Sequence, residues 1–162
     1  DRGAEVRLRL VGDGPDRPSL ERQVAALGLG DLVIFEGAVN LDRVQALYKG
    51  ADLFALASFA EGIPIVLMEA MAMAIPCVTT RITGIPELIR DGVDGILVAP
   101  SDDDELADAI ARIARDADLR RQLGQAGRAR VIDRYDLGRN TERLAETFRR
   151  RLSERPIPER SH

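Results

Sequence analysis

Two glutamates, Glu61 and Glu69, are the residues whose surroundings in this sequence point most directly to chemistry. Glu69 is the only charged or strongly polar side chain among residues 63–78, an otherwise apolar stretch that predicts a buried helix. A carboxylate in such a stretch loses hydration, at a cost on the order of several kcal/mol, unless it is paired or hydrogen-bonded. We therefore expect Glu69 to meet either a structural partner, such as an arginine, or the hydroxyl groups of a ligand.

Glu61 lies in the loop that joins a predicted strand at residues 53–57 to a predicted helix at residues 65–74. Ligands of open α/β sheets bind beyond the carboxyl ends of the strands, where the start of a helix offers N–H groups and a positive dipole end that suit phosphate. Gly62 lets a ligand approach the backbone, and Pro64 suits the first turn of the helix. The predicted site therefore has a carboxylate at its entrance, backbone amides behind it, and the second glutamate about two turns further along.

Two other turns are candidates for the same edge of the sheet. Gly12 and Gly14 begin like a dinucleotide-binding fingerprint, but Arg17 stands where the third glycine belongs, so a plain strand-to-helix turn is an equally good interpretation. Glu36, at the end of the second predicted strand, is placed like the ribose-binding acid of such folds. Residues 83–87 form a further turn, which either lines the pocket or only connects two elements.

Several kinds of chemistry are excluded by composition. The only histidine is the last residue, His162, so a histidine general base, a Ser-His-Asp triad and a histidine metal site are not expected. Cys77 is the only cysteine, which excludes a disulfide framework or a cysteine metal cluster and suits a reducing compartment. The remaining groups for chemistry are carboxylates, backbone amides, arginines and a bound ligand. We expect no metal.

Charge and hydropathy bear on partners and location. The net charge of −4 argues against a nucleic-acid partner, and no apolar run approaches the roughly 18 residues that span a bilayer. Residues 112–134 carry seven arginines against three aspartates, which indicates either a solvated helical face or a surface for anionic lipid. We expect a cytoplasmic protein, with a position at the inner face of the membrane as the alternative.

The elements that position these groups alternate along the chain. Strands alternating with helices predict an α/β fold with a parallel sheet covered by helices on both faces. Ser101 and Asp104 offer a capping box for the first of three closing helices. We expect one domain over residues 1–152 and a loose tail over residues 153–162. The predicted strands lie at residues 6–11, 33–37, 53–57, 77–79 and 96–99.

The stretch 58–78, S-F-A-E-G-I-P-I-V-L-M-E-A-M-A-M-A-I-P-C-V, resembles the signature of the family-four, or group 1, retaining glycosyltransferases. The resemblance covers residues 6–152 and includes V-G-D-G-P, V-I-F-E-G, A-D-L-F-A-L-A-S, T-G-I-P-E-L-I and D-G-V-D-G-I-L-V. Members of this family have two Rossmann-like domains that face each other across a cleft, the GT-B architecture. The chain is similar to the carboxyl-terminal domain, which holds the donor, a nucleotide diphosphate sugar.

The resemblance implies an enzyme, a glycosyltransferase of the hexosyltransferase type, in bacterial polysaccharide or lipopolysaccharide synthesis. It implies no cofactor and no obligatory metal. Glu61 is similar to the family's first glutamate, which meets donor-sugar hydroxyls, and we assign it the catalytic role. Glu69 is similar to the second glutamate, which binds the ribose. The other implied donor-binding residues are Gly12 near the phosphates, Gly37, Ala38 and Val39 beside the base, and Gly62, Ile63, Pro64 and Ile65 at the sugar or diphosphate.

The resemblance also implies missing parts. An amino-terminal acceptor domain and the family's basic phosphate-binding residues would precede Asp1, as would strand 1, the central strand of the family's order 3-2-1-4-5-6. That domain would meet a membrane or a lipid-linked acceptor. The strands at residues 6–11 and 53–57 must then close on each other, leave a gap, or borrow a strand, which would make a strand-exchanged homodimer. Because a gap exposes unpaired backbone, we expect closure or pairing with another chain.

Two alternative functions remain open at this stage. One is an epimerase-like domain that binds sugar nucleotides, and the other is a non-catalytic nucleotide-binding module. Under the favoured interpretation the chain alone is inactive, because transfer needs donor and acceptor held together in a closed cleft.

Overall fold

The computed structural model describes residues 5–153, so the expected loose tail lies outside the described residues except for Ser153, which ends the last helix. Strands and helices alternate as expected and then give way to three helices. In chain order they are β1 (Leu8–Val11), α1 (Arg17–Ala26), β2 (Val33–Gly37), α2 (Leu41–Lys49), β3 (Phe54–Leu56), α3 (Ile65–Ala72), β4 (Cys77–Thr80), α4 (Ile85–Leu88), β5 (Ile96–Val98), α5 (Asp103–Arg115), α6 (Ala117–Tyr135) and α7 (Leu137–Ser153).

The strands form two parallel sheets rather than one. β1 pairs with β2, while β3, β4 and β5 form a three-stranded sheet in that order. In residues 5–153 no strand lies between β1 and β3, and these two strands do not pair with each other. The spatial order β2-β1, then β3-β4-β5, is that of a 3-2-1-4-5-6 sheet without its strand 1.

The expected closure of β1 on β3 is therefore wrong, and α2 supplies the physical reason. Arg43 of α2 donates to Glu36 of β2 at 2.8 Å, while Tyr48 of the same helix packs against Phe54 of β3 with ring centroids 5.8 Å apart. One helix therefore contacts both sheets, through an ion pair with β2 and a ring contact with β3, and in this arrangement β1 and β3 are not paired. Pairing with a strand of another chain stays a prediction.

The core lies in the three-stranded sheet and the helices that cover it. β4 is buried along its whole length, and α3 buries Leu67, Ala70 and Met71. The apolar character of α3 nevertheless overstates its burial, because Ile65 and Val66 remain 67% and 40% exposed. A helix apolar on every side is here covered on one side only.

Glycines on α6 let it approach α3 closely. A Cβ on Gly124 would lie 2.1 Å from the carbonyl oxygen of Ala74, and a Cβ on Gly127 would lie 3.1 Å from that of Asp94. α3 ends in a Schellman motif, because the N–H of Ile75 donates to Ala70 and that of Ala74 to Met71. Ala74 has a φ of 59°, in the region that glycine normally occupies.

The D-G-V-D-G segment before β5 is held by a buried carboxylate. Asp94 is 1% exposed and accepts hydrogen bonds from the backbone N–H of Arg90 at 2.5 Å and from its Nε at 2.6 Å. Arg130 of α6 approaches the same carboxylate at 3.8 Å. Because the charge is paired and hydrogen-bonded, its burial is tolerated, and it ties the loop to α6.

The start of α5 differs from the expected capping box. Asp102 is the N-cap, accepting from the N–H of Glu105 at 2.8 Å, while the Glu105 carboxylate accepts from the N–H of Ala99 at 2.6 Å. Ser101 has a φ of 63°, which is incompatible with the extended backbone of an N-cap. The expected pair of Ser101 and Asp104 is therefore wrong by one position.

α7 is amphipathic but little covered. Its apolar side chains Leu144, Phe148 and Leu152 are 57%, 60% and 71% exposed, and it packs mainly against α6. In the part of the chain that the structure describes, no helix is both long and apolar enough to cross a bilayer.

Candidate functional site

The carboxyl ends of β3 and β4 bring two turns into contact. The strands pair in parallel with Leu56 opposite Thr79, so the segments that follow them leave the sheet at the same edge. A Cβ on Gly84, in the second turn, would lie 2.7 Å from the carbonyl oxygen of Gly62 in the first. Only a glycine permits this approach. The turn at residues 83–87, which the sequence left undecided, thus borders the loop that carries Glu61.

Glu61 is held at both its backbone and its side chain. The hydroxyl of Thr83 donates to the Glu61 carbonyl, and Ser58 Oγ donates to Glu61 Oε1 at 3.2 Å. Ser58 is itself fixed to β4, because its N–H donates to Thr80 Oγ1 at 3.2 Å and Thr80 Oγ1 donates to its carbonyl at 2.6 Å. Thr83 has a φ of 34°, a strained value for a residue with a side chain. The side chain of Glu61 is therefore positioned by the ends of both strands.

Glu69 has the partner that its apolar surroundings require, and that partner is a tyrosine. Tyr48 of α2 donates to Glu69 Oε2 at 3.3 Å and also lies 3.2 Å from the Val66 carbonyl. Burial, followed by the charge of Glu69, raises the pKa of Tyr48 to about 12, so the phenol stays protonated and remains a donor. The expectation that Glu69 has a structural partner is confirmed, although the partner is a tyrosine and not an arginine.

The loop from Gly62 to α3 offers its backbone to the surroundings. A side chain at Gly62 would meet no atom within 4 Å, and Ile63 and Ile65 are both exposed. Pro64 is buried and forms the N-cap of α3, one position before the first turn in which the sequence placed it. The first N–H groups of a helix have no intrahelical acceptor, so this end of α3 can receive an anion or a sugar hydroxyl.

The other predicted donor residues lie at the carboxyl edge of the β1–β2 sheet. The N–H of Gly12 donates to the Gly37 carbonyl at 2.9 Å, and both residues have positive φ values, 123° and 70°. Ala38 is exposed and Val39 half-buried in the turn that follows. The structure thus brings Gly12 together with residues 37–39, and Glu61 together with Gly62, as two groups, each at the carboxyl end of its own parallel sheet.

Glu36 does not behave like a ribose-binding acid. Its side chain is 8% exposed and is paired with Arg43 at 2.8 Å and with Arg9. Hydrogen bonds from Arg43 and then from Arg9 hold its pKa below the usual range for a glutamate. We assign Glu36 a structural role, joining β1, β2 and α2. Within residues 5–153, no three histidine, cysteine or acidic side chains form a group that could hold a metal ion.

Sequence reasoning missed several of the residues that build the site. Tyr48 was identified only as a helix residue, because nothing in the spacing relates it to a glutamate 21 positions away. Ser58 begins the stretch 58–78, but nothing in the sequence marks its side chain as a partner of Glu61, and Thr80 lies outside the quoted motifs. Thr83 lies in the turn at residues 83–87, and its positive φ is a value that glycine adopts more readily. Its hydroxyl contact was not foreseen.

Comparison with known proteins decides the family. The family model described as "Glycosyl transferases group 1" matches residues 1–130. This chain belongs to that family. Among group 1 relatives, it is 33% identical over 148 residues to the alpha-D-kanosaminyltransferase of Streptomyces kanamyceticus, covering 91% of the chain and 38% of the relative. It is 37% identical over 131 residues to the N-acetyl-alpha-D-glucosaminyl L-malate synthase of Bacillus anthracis, covering 81% and 34%.

Solved structures place the group 1 chain within the GT-B architecture. HepE of Anabaena in complex with UDP matches with a TM-score of 0.81 and 31% identity, over 88% of this chain and 40% of HepE. The carboxyl-terminal domain of LpcC from Francisella tularensis matches with a TM-score of 0.70 and 30% identity, over 75% and 63%. The expected fold and family are confirmed, and the chain corresponds to the donor-binding domain. The chain spans only 34 to 38% of the length of the two relatives above. Because these relatives are named as a transferase and a synthase, the epimerase-like alternative is not favoured.

Proposed function

We propose that this chain is the donor half of a retaining glycosyltransferase that moves a hexosyl group from a nucleotide diphosphate sugar to an acceptor. The observation that carries the proposal is the doubly held Glu61 at the start of α3, with Glu69 bonded to Tyr48 on the same helix. HepE of Anabaena, to which the chain is similar, has been solved in complex with UDP and with UDP-glucose, and this supports a nucleotide sugar as the ligand.

In this proposal the two glutamates have different tasks. Glu61 lies in the loop and is the catalytic residue, accepting hydrogen bonds from hydroxyls of the donor sugar near the reacting carbon. Glu69 lies on the helix and accepts from the ribose, while Tyr48 fixes its orientation. Rigid acceptors of this kind bind without a further loss of side-chain entropy, because the chain has ordered them beforehand.

The backbone around Gly62, Ile63, Pro64 and Ile65 meets the sugar or the diphosphate. As the bond from the anomeric carbon to the phosphate oxygen breaks, the carbon gains oxocarbenium character and the departing diphosphate gains negative charge. The N–H groups and the dipole at the start of α3 stabilise that charge. Gly12, Gly37, Ala38 and Val39 complete the donor site at the phosphates and the base. The proposal includes no metal and no cofactor.

The partner elements belong to the proposal as well. The open edges of β1 and β3 suit a parallel strand inserted between them, supplied by a preceding segment or by a second copy in a strand-exchanged dimer. A facing acceptor domain would close the cleft and bind the acceptor, which we place in bacterial polysaccharide or lipopolysaccharide synthesis, with a lipid-linked acceptor as an option. The proposed location is the cytoplasm, at or near the inner membrane face.

A titration tests the proposal. The complete protein that carries this domain is titrated calorimetrically with uridine, guanosine and adenosine diphosphate sugars. We expect saturable binding of at least one of them, and weaker binding of its nucleoside monophosphate, which lacks the second phosphate and the sugar. Absence of binding by all three in a folded sample would contradict the proposal and favour a module of another kind.

A further inference from the structure

Arg17 lies over the backbone of Gly37, at the carboxyl edge of the β1–β2 sheet. Its Nη1 atom lies 3.0 Å from the position that a Cβ on Gly37 would occupy. Its guanidinium carbon lies 5.8 Å from the ring centroid of Phe35, within the range of a cation–π contact. Gly37 is buried beneath this group, while the Arg17 side chain is 34% exposed. The guanidinium is therefore both positioned by the fold and accessible from the edge where the donor site is proposed.

Two carboxylates lie beside Arg17 and more than neutralise its charge. Its Nε donates to Glu21 Oε1 at 2.8 Å, and its Nη1 lies 3.9 Å from Asp13 Oδ2. One cation between two carboxylates carries no excess of positive charge. An added diphosphate would meet repulsion from both acids, whereas a neutral planar group would not. The cluster therefore suits a nucleotide base better than it suits a phosphate.

The chemistry of a guanidinium restricts the base it can prefer. Arginine has only donors, in a planar fork, and its plane stacks on flat rings. Uracil and guanine present carbonyl oxygens at the edge where adenine presents an amino group. A guanidinium at this edge forms hydrogen bonds with the first two bases and meets a donor on the third.

We infer that Arg17 contacts the base of the donor and favours uracil or guanine over adenine. This inference rests on the proposed function, which puts the base beside residues 37–39. The inference assigns Arg17 to base selection. It also gives a second reason, besides the positive φ, for a glycine at position 37, because a side chain there would press on the guanidinium.

The test measures base preference in the complete protein. Wild type, Arg17→Gln and Arg17→Lys are titrated with UDP, GDP and ADP, with Arg22→Gln, an exposed arginine on the same helix, as the matched control. For wild type we expect UDP or GDP to bind about tenfold or more tightly than ADP. Both Arg17 variants should bind the preferred nucleotide, UDP or GDP, about fivefold or more weakly than wild type, and their affinity for ADP should change less than about twofold. Arg17→Lys is expected to behave like Arg17→Gln because a lysine lacks the planar fork.

The outcomes separate this inference from the function it rests on. A narrowed base preference in both Arg17 variants, with Arg22→Gln like wild type and melting temperatures unchanged, supports the assignment. A second outcome is that Glu69→Gln weakens nucleotide binding while Arg17→Gln keeps the wild-type base preference. That outcome overturns the role of Arg17 and leaves the proposed function standing. Wild-type protein that binds no nucleoside diphosphate overturns both.

Discussion

Glu61 illustrates how neighbouring strand ends can fix a single carboxylate. Its carbonyl accepts from Thr83 and its side chain from Ser58, which is bonded in turn to Thr80 of β4. Backbone strain of the kind seen at Thr83 costs on the order of 1–3 kcal/mol and persists where the surroundings over-determine it. The hydroxyl contact to Glu61 is part of those surroundings, and it places the cost at the loop that we propose binds the donor sugar.

Removing the Tyr48 hydroxyl should weaken nucleotide binding. Tyr48→Phe keeps the ring contact with Phe54 but removes the donor to Glu69, so the carboxylate loses its fixed orientation. One such hydrogen bond contributes about 1 kcal/mol, which corresponds to about a fivefold weaker affinity. Tyr135→Phe is the control, because the Tyr135 hydroxyl donates to one backbone carbonyl, that of Glu87, and has no contact with Glu69 among the hydrogen bonds of residues 5–153. Equal affinities in the two variants would refute the orienting role of Tyr48.

The same residue predicts a dependence of stability on alkaline pH. The pKa of Tyr48 is raised to about 12, above its ordinary value of about 10, so the folded state favours the neutral phenol. Its contribution is fully present below pH about 10 and is lost as pH rises through about 12. Urea unfolding from pH 9 to 12 should therefore show wild type losing stability relative to Tyr48→Phe. A constant difference between the two proteins across that range would contradict the assignment.

At the scale of elements, the contact between α3 and α6 sets the geometry behind the site. The Schellman end of α3 places Ala74 in the left-handed region, and Gly124 packs on the carbonyl of that residue. The same turn therefore ends α3, leads the chain into β4 and packs against α6. The α3 helix that carries Glu69 is supported from behind by this packing.

Two substitutions at this contact should change stability in opposite directions. Ala74→Gly relieves the left-handed conformation and should raise the free energy of unfolding by about 0.5–1 kcal/mol, the strain relief being partly offset by the looser unfolded chain. Gly124→Ala places a methyl group 2.1 Å from the Ala74 carbonyl oxygen and should lower the free energy of unfolding by about 1–3 kcal/mol. Chemical denaturation measures both changes. A destabilised Ala74→Gly would show that the strain is not relieved by glycine.

The elements were largely predictable from the sequence, while their partnerships were not. Apolar runs located the five strands of residues 5–153 and the helix that carries Glu69, because periodicity reports which face each element buries. The cap of α5 was misplaced by one residue, since nothing local marked Ser101 as left-handed. Tyr48 and the pair of arginines on Glu36 depend on contacts between elements, which no local pattern encodes.

At the scale of the whole molecule, the two sheets are the most informative feature. The pairings β2-β1 and β3-β4-β5 agree with the expected family order, with no strand of residues 5–153 paired to both β1 and β3. The family resemblance predicted a sheet without strand 1, but the sequence did not predict that β1 and β3 stay unpaired with each other within residues 5–153. α2 contacts both sheets, through the ion pair of Arg43 with Glu36 and the ring contact of Tyr48 with Phe54.

The chain by itself should not sustain transfer. Positioning of donor and acceptor supplies a large share of barrier reduction, and the described residues 5–153 correspond to the donor-binding domain. The purified chain of 162 residues, incubated with donor and acceptor, should give no more product than its Glu61→Ala variant. Addition of the remainder of the protein should restore activity to wild type but not to the variant. Multiple turnover by the chain alone would show that residues 1–162 hold a complete active site.

The division of labour between the two glutamates is the central claim, and paired titrations of the complete protein test it most directly. Affinities for a nucleoside diphosphate and for its sugar conjugate are measured for wild type, Glu61→Ala, Glu69→Gln and, as the control, Glu146→Gln, which is exposed on α7. Glu61→Ala should lose about tenfold of the affinity for the conjugate, the effect of a hydrogen bond to a charged group, and keep that for the bare nucleotide. Glu69→Gln should weaken both, and Glu146→Gln neither. Equal losses of bare-nucleotide affinity in Glu61→Ala and Glu69→Gln would contradict the account.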